Sequence, residues 1–216
     1  MELEERLAKV HKELSSGNLR LETNVQVKVV RPILRSLGWD DADSSHMRAE
    51  FRIGKRKVDE ALLGEFGGPV VFIEAKRKGH LQDRARHDKA VRQLFRYARH
   101  REVPILLLTD GETWDFYLRR APGSSAERRF LRLVLTESVG LEEAELELRT
   151  FLGRDAVLEG DALRADEPTG AMERPYSYGA LFPEDLPRTD YAREELERLT
   201  DTEMAEVIEW WSVSNW

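Results

Sequence analysis

The sequence predicts an α/β fold, a mixed β-sheet flanked by helices, followed by an acidic helical C-terminal extension. Two patterns carry this reading. Short β-type runs such as "VVFIEA" at 70–75 and "VPILLLT" at 103–109 alternate with longer stretches of helical periodicity. The order of these segments is helix, strands, helix, strands, the order of a mixed sheet covered by helices. A third observation sets the last part of the chain apart, because residues 141–216 carry 20 acidic against 7 basic side chains.

The chain opens with a helical segment to about Leu14, stopped by "SSG" at 15–17. A second helix is expected over about 19–37, with Leu21, Val25, Val29, Ile33 and Leu37 spaced by four and Pro32 expected to kink or split it. After the loop "GWDDADSS" come strands at about 47–53, 57–64 and 70–76, the last two joined through the turn signal "EFGGP". A helix over about 81–100 shows an apolar stripe at Val91, Leu94, Phe95 and Ala98. "DG" at 110–111 turns the strand at 103–109 into "ETWDFYLRR", "RFLRLVLT" adds a strand, and "LEEAELELRTFL" is helical. Residues 1–153 are thus expected to form one domain. Residues 154–216 are expected to be an acidic linker and a helical extension.

With 216 residues and 41% hydrophobic content the chain can bury a core. It has no cysteine, which excludes disulfides, thiolate metal sites and thiol nucleophiles. No apolar run is long enough for a membrane span and the N-terminal residues do not form a signal peptide, so the sequence reads as soluble and cytoplasmic. The net charge of −7 is unevenly distributed, leaving +6 on residues 1–140. Between Lys76 and Arg101 stand ten basic and two acidic residues, a local surface suited to phosphates or simply a solvated helix face.

The chemistry concentrates at the end of the 70–76 strand. Alternation puts Val70, Phe72, Glu74 and Lys76 on one face, so a carboxylate and an ammonium project together. On the preceding strand Asp59 stands in apolar company, and pairing through the "FGG" turn brings it toward Glu74. Two carboxylates at close range repel, and a hard divalent cation with oxygen ligands relieves that conflict, Mg²⁺ being the usual choice beside a phosphate. Lys76 then stands beside the ion, placed to hold or deprotonate the water that attacks phosphorus. A strand-end salt bridge accounts for the same three residues without any metal. Glu22 lies on the second helix amid apolar residues, and Gln93 and Tyr97 share one helix face at i and i+4.

Asp59, "EAK" at 74–76 and the Gln93/Tyr97 pair resemble the core of the PD-(D/E)xK nucleases with their QxxxY element. The likeness is closest to the N-terminal nuclease domain of type I restriction R subunits. "LETNVQVKVVRPILRSLGWD" resembles that family's first helix, and "LLLTDGETWDFY" its later strand–turn–strand. The resemblance covers about residues 18–140 and implies a restriction-endonuclease-like sheet. It implies that Asp59 and Glu74 hold Mg²⁺, with Mn²⁺ as a substitute, helped by the main-chain carbonyl of Ala75. Lys76 would orient the attacking water or stabilise charge on the phosphate. Glu22 would border the metal, and Gln93 and Tyr97 would position DNA or the site network. The residue before Asp59 is Val58 and not the proline of the motif, a proline often missing in the family.

Arg77, Lys78, Arg84, Arg86, Lys89 and Arg92 follow the site and are expected to line the path of DNA phosphates. His80, His87 and His100 lack metal-ligand spacing and are assigned to the basic surface; Trp39 and Trp114 are read as packing residues, and "TDG" at 109–111 as turn chemistry. No GxxxxGK[ST] occurs, so no motor accompanies the site. The expected function is a Mg²⁺-dependent DNA endonuclease acting as a stand-alone enzyme or a recruited subunit in defence or repair. The alternative is a non-catalytic DNA-binding or assembly module that keeps the fold. Three of the five tryptophans fall in "EWWSVSNW" at the end of the chain, which suggests a homodimer or partner-subunit interface there.

Overall fold

The computed structural model describes residues 2–164, apart from 100, 102, 122 and 136–140. The chain divides into two units, Met1–Tyr178 and Gly179–Trp216, and the described residues all lie in the first. Residues 165–216, which hold most of the acidic extension and the Trp-rich end, and His100 are outside the described residues.

Helix α1 (Leu3–Ser15) buries Leu3, Leu7, Val10 and Leu14, a stripe at spacings of three and four. The expected second helix is continuous but not regular. It consists of α2 (Glu22–Val25), a π-helical segment (Gln26–Val30) and α3 (Arg31–Ser36). Pro32 explains the widening, since its ring would meet the carbonyl of Lys28 in a regular helix and it has no N–H to give. The π segment, closed by Arg31 N–H donating to Gln26 O, relieves that conflict one residue before the proline. So the expected break becomes a bulge.

Six strands follow: β1 (Met47–Ile53), β2 (Arg56–Leu63), β3 (Pro69–Ala75), β4 (Ile105–Thr109), β5 (Thr113–Leu118) and β6 (Arg129–Val134). They form one sheet in chain order, antiparallel throughout except for β3 and β4. That parallel step needs a crossover, and α4 (Arg84–Ala98) supplies it. Asp83 caps α4 by accepting from Arg86 N at 2.9 Å.

The two faces of the sheet have different covers. Phe72, Leu106, Leu108 and Tyr117 pack with Val91, Leu94 and Ala98 of α4. Phe116, opposite in parity to Tyr117, meets Phe151 of α5 (Leu141–Leu152) at 6.5 Å between ring centres. Trp39 and Trp114 are packing residues as expected, each with its indole N–H on a carbonyl, of Leu152 at 2.8 Å and Gly111 at 3.0 Å.

The stretch after Gly153, read from the sequence as linker, begins with two short helices, α6 (Arg154–Leu158) and α7 (Asp161–Arg164). Arg154 N–H donates to Leu37 O at 2.9 Å, so the loop after α3 holds the start of α6.

Candidate active site

The β2–β3 register runs from Leu63 opposite Pro69 to Glu60 opposite Ile73. Beyond that pair the main chains stop pairing, and the Asp59 carboxylate takes their place: Ala75 N–H donates to Asp59 Oδ2 at 2.8 Å. The same alternation that buries Ala61 and Leu63 carries Asp59 to the α4 face, where Glu74 also points. Glu60, its fully buried neighbour, faces the other way and takes Arg31 at 2.7 Å.

Glu74 is 3% exposed. Lys76 Nζ donates to its Oε1 at 2.7 Å and Gln93 Nε2 to the same oxygen at 2.8 Å. The second amide hydrogen of Gln93 reaches Tyr97 Oη at 2.6 Å. Glu74 Oε2 is buried with no hydrogen-bond partner. Burial and the Asp59 carboxylate push Glu74 up to about 7, against the pull of Lys76. Burial also raises Asp59, opposed by the Ala75 N–H and Lys76. Burial works to lower Lys76, but Glu74 more than offsets it, so the side chain is held as an ammonium.

The five residues that the sequence groups as a candidate site, Asp59, Glu74, Lys76, Gln93 and Tyr97, lie together in the fold. Glu22 needs a correction of setting: as the first residue of α2 it is about half exposed at its side chain (48%), not sunk in an apolar surface, and Lys76 Nζ lies 3.7 Å from it. His87 needs a correction of role. It is 9% exposed and its Nε2 lies 2.7 Å from Asp115, itself fully buried. Arg132 grips Asp115 with two N–H groups at 2.6 and 2.7 Å. Charges that read as surface in the sequence are therefore an internal network beneath α4. His80 does lie beside the site, half-buried and held below its ordinary value by burial and by the Lys76 charge.

Of the expected DNA contacts, Arg77, Arg84, Arg86, Lys89 and Arg92 are exposed. Lys78 is half-buried and paired with Glu112 at 3.2 Å. "TDG" does make a turn, since Asp110 Oδ1 accepts from Thr113 N. Asp110 Oδ2 also accepts from Leu81 N at 3.2 Å, tying the segment after Lys76 to the turn.

Two residues near Asp59 escaped the sequence reading. Gln26, in the π segment, lies beside the Asp59 carboxylate and favours its ionised form; "Q" inside a helical run carries no signal by itself. Glu50 lies between the pairs Ala49–Glu60 and Phe51–Val58, opposite Asp59, and is the one non-glycine described residue with positive φ, at 50°.

Among the described residues no three His, Cys, Asp or Glu side chains gather as a metal-ligand cluster. The donor set nonetheless fits one hard cation. Two carboxylates with raised affinity for protons face one another, and one buried oxygen of Glu74 lacks any donor. Mg²⁺ is typically held by one or two carboxylates and keeps its remaining positions for water and phosphate.

Residues 46–125 match the family model described as "Type I restriction enzyme R protein N terminus". The resemblance drawn from the sequence is thereby shown for that segment, which contains Asp59, Glu74, Lys76, Gln93 and Tyr97 but not Glu22. A curated relative, the "Type I restriction enzyme EcoAI endonuclease subunit" of Escherichia coli, is 28% identical over 128 residues. The alignment covers 53% of this chain and 15% of that protein. No solved structure gives a significant match. No helix among the described residues is long and apolar enough to cross a membrane.

Proposed function

We propose that the chain is a metal-dependent DNA endonuclease whose centre is Asp59, Glu74 and Lys76. The observation that carries this reading is the buried, donor-less Oε2 of Glu74 beside Asp59, where both donors that reach Glu74 are turned onto Oε1. The restriction-enzyme family match to residues 46–125 supports the substrate class.

Asp59, Glu74 and the Ala75 carbonyl would hold Mg²⁺ or Mn²⁺, which when bound supplies charge neutralisation at the phosphate and a lowered pKa for water. The residues themselves divide the remaining work. Lys76, as an ammonium ion-paired to Glu74 and 3.7 Å from Glu22, is a donor and not a base. It holds the attacking water by hydrogen bonding and opposes negative charge growing on the phosphoryl oxygens. Gln93 fixes the rotamer of Glu74, Tyr97 fixes Gln93, and the Ala75 N–H fixes Asp59. Glu22, at the rim, leaves room for solvent or substrate to reach the site.

Supercoiled plasmid, linear duplex and single-stranded DNA incubated with the protein in Mg²⁺, Mn²⁺ and EDTA test the proposal. Cleavage in either metal and none in EDTA is expected. Binding without cleavage on all three substrates would leave the non-catalytic DNA-binding module.

A further inference from the structure

Beside the site lies a groove that the catalytic assignment does not use. Its walls are residues 17–20, between α1 and α2, and residues 77–82, between β3 and α4. Lys78 N–H donates to Leu19 O at 3.1 Å, so the two loops are tied into one floor. Arg20 and Arg77 line the groove; both are exposed, and neither side chain has a partner among the described residues. Lys78 and Glu112, also in the wall, neutralise one another. The groove therefore keeps two unmatched guanidinium groups, with the Gln82 amide beside them.

Its backbone is bare as well. Gly17 and Gly79 both have left-handed φ, 74° and 77°, which the two turns require. A Cβ at Gly17 would meet nothing within 4 Å, and at Gly79 only Gln82 Oε1 at 3.8 Å. A ligand can thus approach the main chain on both walls. Two planar forks on an open, unobstructed surface suit phosphate oxygens.

The groove is also continuous with the site. Arg77 follows Lys76, and Arg20 stands two residues from Glu22, at most about 7 Å along the chain. That span corresponds to about two nucleotides of rise along one DNA strand. We infer that this groove holds the sugar-phosphate backbone of the cleaved strand within about two nucleotides of the scissile phosphate, with Arg20 and Arg77 on phosphate oxygens and Gln82 donating alongside. The contacts position the strand and read no sequence. The inference rests on the nuclease reading and adds Arg20 and Gln82 to the substrate path, while removing Lys78 as a principal contact.

The test is fluorescence anisotropy of a labelled duplex in EDTA across a salt series, so that binding is read without cleavage. Wild type, Arg20→Gln and Arg77→Gln are compared with the charge-matched control Arg48→Gln, an exposed residue of β1 outside the groove. Each groove variant is expected to bind roughly fivefold more weakly and to lower the slope of log K against log salt by about 0.9. Arg48→Gln is expected to change neither. Thermal melts matching wild type exclude misfolding of these exposed sites. Wild-type affinity and slope in both groove variants would overturn the inference, as would the absence of wild-type DNA binding. The two readings fail separately. A protein that does not cut in Mg²⁺ but shows these losses keeps the groove and loses the nuclease. One that cuts, with binding unchanged in both variants, does the reverse.

Discussion

Gln93 and Glu74 meet at a single carboxylate oxygen: the amide Nε2 lies 2.8 Å from Oε1, the oxygen that Lys76 also engages. Both hydrogens of the Gln93 amide are used, one on Glu74 and one on Tyr97. The consequence is a carboxylate locked with its other oxygen free of donors. Gln93→Leu releases that lock while keeping the volume of the side chain. We expect single-turnover cleavage to fall about 10- to 100-fold, the range for a residue that orients a ligand. Tyr97→Phe removes one hydrogen bond further out and is expected to cost about fivefold. Wild-type rates in Gln93→Leu would show that the orientation of Glu74 does not matter.

The Asp115 network is predicted to set stability. Burial works to raise Asp115, and Arg132 and His87 more than offset it, holding the carboxyl below its ordinary value of 3.8. Because the folded value is depressed, the stabilisation is complete above the ordinary value and is lost as pH falls through the folded one. Asp115→Asn leaves Arg132 facing a neutral group and is expected to cost about 3 kcal/mol in urea unfolding at neutral pH. The gap between wild type and variant should close as the pH is lowered below about 4. A gap that stays constant into strong acid would mean that Asp115 is not ionised in the fold.

Gly111 links the β4–β5 turn to the helices that carry Glu22 and Gln26. Its φ of 87° is a left-handed turn value, and a Cβ there would meet Val25 Cγ1 at 3.2 Å and Leu14 Cδ2 at 3.5 Å. Gly111→Ala combines backbone strain with crowding and is expected to lose about 1–3 kcal/mol. Chemical denaturation measures it directly. An unchanged midpoint would mean that the turn and the helices can move apart without penalty.

Much of this was legible because the signals are local. Alternation identified the face shared by Phe72 and Glu74, and the apolar company of Asp59 with the expected strand pairing pointed to its convergence on Glu74, while the fully buried Glu60 turns to Arg31. The i, i+4 spacing of Gln93 and Tyr97 put both on one helix face, and the family resemblance put that face at the site. What escaped depends on partners distant in sequence. His87 looks like surface charge until Asp115, 28 residues on, is brought beneath it. Helices α6 and α7 are short and polar, and what holds the start of α6 is the carbonyl of Leu37. The π segment is a response to Pro32 that periodicity alone reads as a break, and it is the segment that carries Gln26 to Asp59.

The central claim is that Asp59, Glu74 and Lys76 are the cleavage centre. The most direct test is single-turnover cleavage of supercoiled plasmid in Mg²⁺ by wild type, Asp59→Asn, Glu74→Gln and Lys76→Ala, each shown by its melt to be folded. Metal-dependent nicking by wild type and a loss of at least about 100-fold in every variant are expected. Nicking that persists at the wild-type rate in Asp59→Asn and Glu74→Gln would contradict the claim, and would place the chemistry elsewhere in the chain.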